Sequence, residues 1–194
     1  MQVTLNNSFT IQQPIDRVWA YLSDLNKVAP CLPGAEILEA VDAKTFRGAI
    51  KMKLGPFSTQ FNGEVVIEHM DAAAREIRMV GKGKDASGTG SASMNISGKL
   101  TSLPDGGTRM ESESDLVVSG KLAQFGARMI EDVSKSMFAK FTDTFTAELE
   151  AEVTGKKRTG RRKDNAVSVT EVAGVVVKGA VGRLLGKGRK SPKK

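Results

Sequence analysis

The chain has one histidine and one cysteine, His69 and Cys31. A metal centre needs several His, Cys or carboxylate ligands converging on one point, and a thiol nucleophile needs a base within reach. One residue of each kind supplies neither, so no metal site is expected. Asp16, Glu64 and Glu68 could exchange protons, but nothing in their spacing pairs them. The glycine-rich run at 81–90, GKGKDASGTG, matches neither phosphate-binding pattern and falls across an expected hairpin instead of opening a helix. These residues predict a protein that is not an enzyme.

What remains is apolar chemistry. Alternation along the expected strands sets large apolar side chains on one face, among them Phe46, Ile50, Phe61, Val65, Met79, Met94 and Met110. Between them the same face repeatedly offers Gly, Ala or Ser: Gly48, Gly63, Gly81, Gly83, Ala92 and Gly98. Two readings compete. The glycines mark strong curvature over a solid core, or they leave room for a guest between adaptable Met and Phe walls. The second is preferred, because interiors avoid voids unless something occupies them. The guest should be lipophilic, since almost no inward position is ionisable. Phe125, Met129, Val133, Met137 and Phe141 complete the expected ligand-binding wall from a facing helix.

The elements that must position this wall follow from period and punctuation. The first dozen residues read as a strand. A helix starts near Pro14, with Ile15, Val18, Trp19 and Leu22 at helical spacing, and a second short one over 25–32 is halted by Pro30 and Pro33. Six strands follow, at 35–41, 45–54, 57–70, 75–84, 87–103 and 108–119. Their short links make the sheet antiparallel. One helix over 122–152 carries an apolar stripe from Phe125 to Leu149. This order predicts an α+β helix-grip fold, a curved seven-stranded antiparallel sheet wrapped around a long C-terminal helix.

Charge divides the chain in two. Residues 155–194 hold 13 Lys or Arg against Asp164 and Glu171, a net +11; of the 29 basic and 22 acidic groups in all, 16 and 20 remain in the body, a net −4. The expected division is a ligand-binding domain at 1–153 and a basic, mostly disordered tail at 154–194. Such asymmetry points to a polyanion. The tail opens with Lys156, Lys157, Arg158, Arg161, Arg162 and Lys163, and closes with Lys187, Arg189 and Lys190 among its last cations. Between these clusters Val169, Val172, Val176 and Leu184 share one face of a helical wheel, with Lys178, Arg183 and Leu185 in the same segment. An amphipathic segment between basic clusters suits an anionic membrane surface. Nucleic acid is not expected, because the tail has no aromatic side chains to stack on bases. The first residues lack a secretory pattern and no window is apolar enough to span a bilayer. A lone cysteine suits a reducing compartment. The expected location is therefore cytoplasmic, peripheral to the inner face of the cell membrane.

The stretch PIDRVWAYLSD at 14–24, followed by VAPCLPGAE at 28–36, resembles the carbon monoxide dehydrogenase G-subunit family. The Lys53-Leu54-Gly55-Pro56 turn, the hairpin around Gly88–Gly90 and Gly120 before the last helix resemble it as well. The resemblance covers the body, about residues 1–150. It implies a START-like helix-grip fold and association with carbon monoxide dehydrogenase, a molybdenum hydroxylase, together with a role in placing that enzyme at the membrane. The turn Cys31, Leu32, Pro33 and Gly34 is the candidate partner-binding surface. Together with the apolar wall and the tail, this predicts a non-catalytic subunit that recruits the dehydrogenase and delivers a bound quinone, menaquinone or ubiquinone, as electron acceptor. No covalent cofactor is expected. The alternative is a ligand-free membrane adaptor or maturation factor.

Overall fold

The computed structural model describes residues 1–54, 57–154 and the backbone of 167–168. Strand β1, Gln2–Ile11, leads through Pro14 into helix α1, Ile15–Leu22, whose first turn closes on the Pro14 carbonyl. Helix α2, Leu25–Val28, is capped by the Asp24 side chain on the Asn26 amide and runs into a 3-10 turn, Ala29–Cys31. Strands β2 (Ala35–Ala40), β3 (Thr45–Leu54), β4 (Phe57–Asp71), β5 (Glu76–Asp85), β6 (Ser91–Ser102) and β7 (Thr108–Val118) follow as successive antiparallel neighbours. The sheet order is β1-β7-β6-β5-β4-β3-β2. A 3-10 turn, Gly120–Phe125, and helix α3, Ala127–Thr154, complete the body. A two-residue strand β8, Val167–Ser168, pairs parallel with Met52 and Lys53 of β3, beyond the reach of β2.

Seven antiparallel strands wrapped on a long C-terminal helix are the arrangement the sequence predicts. One detail differs. The final helix begins at Ala127, because Gly126 takes φ +80° and breaks the chain between the 3-10 turn and α3. Phe125 therefore sits ahead of the helix whose stripe it was expected to start.

Two side-chain clusters hold α3 against the sheet. At its C-terminal end, Phe145 and Leu149 are fully buried with Ile11, Val18, Trp19, Tyr21, Cys31 and Leu100. Phe145 meets the rings of Phe9 at 5.9 Å, Tyr21 at 5.3 Å and Phe141 at 5.5 Å. The first two are edge-to-face and the third is stacked, and such aromatic pairs add about 0.5–1.5 kcal/mol each beyond area burial. At the other end, Val133 packs with Phe61, Val118 and Leu122. The clusters share no residue. Polar ties fix the short helices: Lys27 reaches Glu152 at 2.9 Å, and Arg75 pairs with Asp16 while lying 5.7 Å from the Trp19 ring.

Candidate functional site

The concave face is built in rows, since residues opposite one another on neighbouring strands share a face. One row runs Phe46, Val65, Gly81, Met94, Leu116, Val3 across six strands. Beside it runs Gly48, Gly63, Gly83, Ala92, with Val118 at its end. On the other side lie Ile67, Met79, Ile96, Ser114 and Leu5.

The glycines in these rows differ in kind. A Cβ on Gly63 would stand 2.1 Å from the Lys82 carbonyl oxygen and 2.7 Å from Gly83 Cα, and one on Gly48 would stand 2.6 Å from the Glu36 carbonyl oxygen. The backbone of the next strand fills that space, so these two mark a crease in the sheet. At Gly81 the nearest atoms would be Val65 Cγ2 at 3.9 Å and Met94 O at 4.0 Å, an ordinary fit. The curvature reading holds at Gly48 and Gly63. Gly81 leaves room that no backbone demands.

The twelve expected wall residues fall into three groups. Phe61 and Val133 are buried, and Ile50, Phe125, Met129 and Met137 pack half-buried against them. Met110 and Phe141 pack against the cluster at the far end. Phe46, Val65, Met79 and Met94 belong to neither cluster and are half-buried. An apolar, half-exposed stretch thus lies on the concave face between two packed ends. The i+4 stripe overlooked Phe138, whose ring lies 5.9 Å from Phe9 and 6.2 Å from Phe141. Its i+3 and i+7 spacing to Phe141 and Phe145 was the available signal.

A separate groove of about 360 Å³ lies between β1 and α3, lined by Phe9, Thr10, Thr142, Asp143, Thr146, Ala147 and Glu150. None of the twelve line it, and its two carboxylates suit an apolar guest poorly. Asp85, at the β5–β6 hairpin, is tied down locally. Its carboxylate accepts from the hydroxyls of Ser87, Thr89 and Thr59, which hold it well below the usual carboxylate range.

In the turn considered for partner binding, Cys31 is buried, while Leu32, Pro33 and Gly34 are half-buried. A partner touching the turn would meet those three and not the thiol. Burial pushes the Cys31 thiol up to about 11, despite the Tyr21 hydroxyl 3.9 Å away. The membrane-binding residues expected in the tail, Lys156 to Lys190, lie outside the described residues. Among the described residues no helix is long and apolar enough to cross a membrane.

Comparison with protein families matches residues 8–150 to CoxG, the G-subunit of carbon monoxide dehydrogenase. The chain belongs to that family. CoxG proteins are accessory subunits named for carbon monoxide dehydrogenase, and the match spans β1 through most of α3. A search of curated proteins found no match. Among solved structures, a conserved protein from Geobacillus kaustophilus superposes with a TM-score of 0.70 at 18% identity, covering 78% of this chain and 97% of that one. The Zhui aromatase/cyclase from a Streptomyces species gives 0.58 at 17%, covering 82% and 99%. A START superfamily protein from Mycobacterium smegmatis gives 0.54 at 10%, covering 77% and 98%. At these identities the likeness is one of fold, and it fixes the START-like helix-grip architecture for this member of the CoxG family.

Proposed function

We propose that this protein is a non-catalytic subunit that recruits carbon monoxide dehydrogenase to the inner face of the cell membrane and presents a respiratory quinone to it. The quinone, menaquinone or ubiquinone, lies against the concave face and takes two electrons and two protons from the enzyme side to leave as the quinol. The observation that carries this reading is the half-buried apolar stretch of Phe46, Val65, Met79 and Met94, with Gly81, where a Cβ would fit without a clash, at its centre. Family membership supports the enzyme partner. The tail's net +11 supports the membrane, where each Lys or Arg near an anionic surface contributes on the order of 1 kcal/mol.

The test is organic extraction and mass spectrometry of the protein purified from a host that makes the dehydrogenase. A co-purifying isoprenoid quinone is expected, and Gly81→Leu should deplete it while leaving the fold intact. Gly63→Phe is no substitute, since the crease admits no side chain there. A protein that carries no lipid, unchanged by Gly81→Leu, leaves a ligand-free adaptor in place of a carrier.

A further inference from the structure

The cations of the folded body are unevenly placed. The β3–β4 and β5–β6 hairpins lie at one end of the sheet, with the 3-10 turn before α3 beside them: the Ala86 amide bonds the Gln60 carbonyl at 2.8 Å, and the Lys121 amide bonds the Thr89 carbonyl at 3.4 Å. That end carries Lys51, Lys53, Lys84, Lys121 and Arg128, all exposed and none in an ion pair among the described residues. The carboxylates near it are Asp85, taken up by three hydroxyls, and Glu131 and Asp132 in α3. The opposite end carries Asp16, Asp24, Asp42, Asp71 and Asp105, and the last turns of α3 add Glu148, Glu150 and Glu152, which together outnumber Arg17, Lys27, Lys44, Arg75 and Arg109 there. A body of net −4 therefore has a cationic end and an anionic end. Such a dipole turns the cationic end toward a negative surface.

A second observation points to the same end. Strand β8, Val167–Ser168, lies along Met52 and Lys53 of β3, close to these lysines. The chain after Ser168 contains the apolar stretch with Lys178, Arg183 and Leu184, then Lys187, Arg189 and Lys190. The pairing starts that segment from the cationic end of the body.

We propose that the hairpin end of the folded body is itself a docking surface for an anionic lipid bilayer, so that the membrane is met by the body as well as by the tail. This rests on the membrane role argued above and adds the orientation. The body approaches hairpins first, with the α3 C-terminus and the acidic end turned away.

The full-length chain with Lys53→Glu, Lys84→Glu and Lys121→Glu is compared with one carrying Arg17→Glu, Lys44→Glu and Arg109→Glu at the far end. Both sets change the net charge by the same amount. Binding is read by co-sedimentation with extruded vesicles of phosphatidylcholine containing about 30% phosphatidylglycerol, and with phosphatidylcholine alone, after thermal melts show both proteins folded. The hairpin-end set should weaken binding to the anionic vesicles at least tenfold and the far-end set less than twofold, with no binding to the neutral vesicles. If the Glu set fails to fold, Lys→Gln at the same positions should weaken binding severalfold. Equal losses in the two sets, or no loss in either, overturn the proposal and leave the tail alone as the membrane element. A hairpin-end set that lowers capture of purified dehydrogenase while vesicle binding is unchanged also overturns it, in favour of a protein surface. Failure of the unaltered full-length chain to bind the anionic vesicles would instead strike at the recruitment role itself.

Discussion

Gly63 and Gly81 occupy neighbouring strands of one concave face, yet a methyl group would collide with backbone at the first and make only ordinary van der Waals contact at the second. Gly63→Ala should cost about 3 kcal/mol or more, because the strand pairing must shift. Gly81→Ala should change stability by less than about 1 kcal/mol. Chemical denaturation of the two variants checks both values. Cys31 provides a test by pH. Its thiol rises from 9.0 to about 11, with burial as the main cause, so the folded state favours the neutral form. The stabilisation is fully present below the unfolded value and is lost as pH rises from about 9 to 11, so unfolding free energy should fall across that window. Cys31→Ala should flatten that part of the profile. Alkylation of the native thiol at about pH 8 should track unfolding. In the sequence, Cys31 could be placed only in a turn between two prolines, and its burial came from Tyr21 and Phe145, ten residues away or across the fold.

At the scale of elements, α3 is gripped at its ends and held more loosely between them. Phe145→Ala should destabilise by about 3–5 kcal/mol, as expected for a fully buried ring. Met137→Ala, from a half-buried position at the edge of the Phe61–Val133 cluster, should cost half of that or less. Thermal melts with matched denaturant titrations distinguish the two. Most of the sheet was legible in the sequence because period-two alternation and short links are local signals. The strand at 45–54 matches β3, and that at 57–70 ends one residue short of β4. The start of α3 was not legible. Apolar spacing at i+3 and i+4 runs on through a 3-10 turn, so only the left-handed conformation of Gly126 separates the two elements. Nor could alternation sort the glycines. It assigns a bare Cα to a face, but whether that space belongs to the next strand or to a guest depends on how closely the strands approach. The four wall residues outside both clusters, Phe46, Val65, Met79 and Met94, were legible individually; that they share the middle of the face was not, because their rows depend on register across strands.

At the scale of the molecule, both clusters are built from residues between Phe9 and Leu149, with the other side chains of the body arranged around them. Truncation after Thr154 should therefore leave the melting temperature within about 2 °C of the full chain, while binding to anionic vesicles weakens and its salt dependence becomes shallower. Calorimetry and flotation assays read these separately. The division between the two clusters has a consequence under the carrier role proposed above. A vessel sealed by one continuous plug of side chains sags when its contents leave, because cargo and wall support each other. Here each end is tied off on its own, so the span between them can stand without a passenger, and unloading need not begin the collapse of the wall.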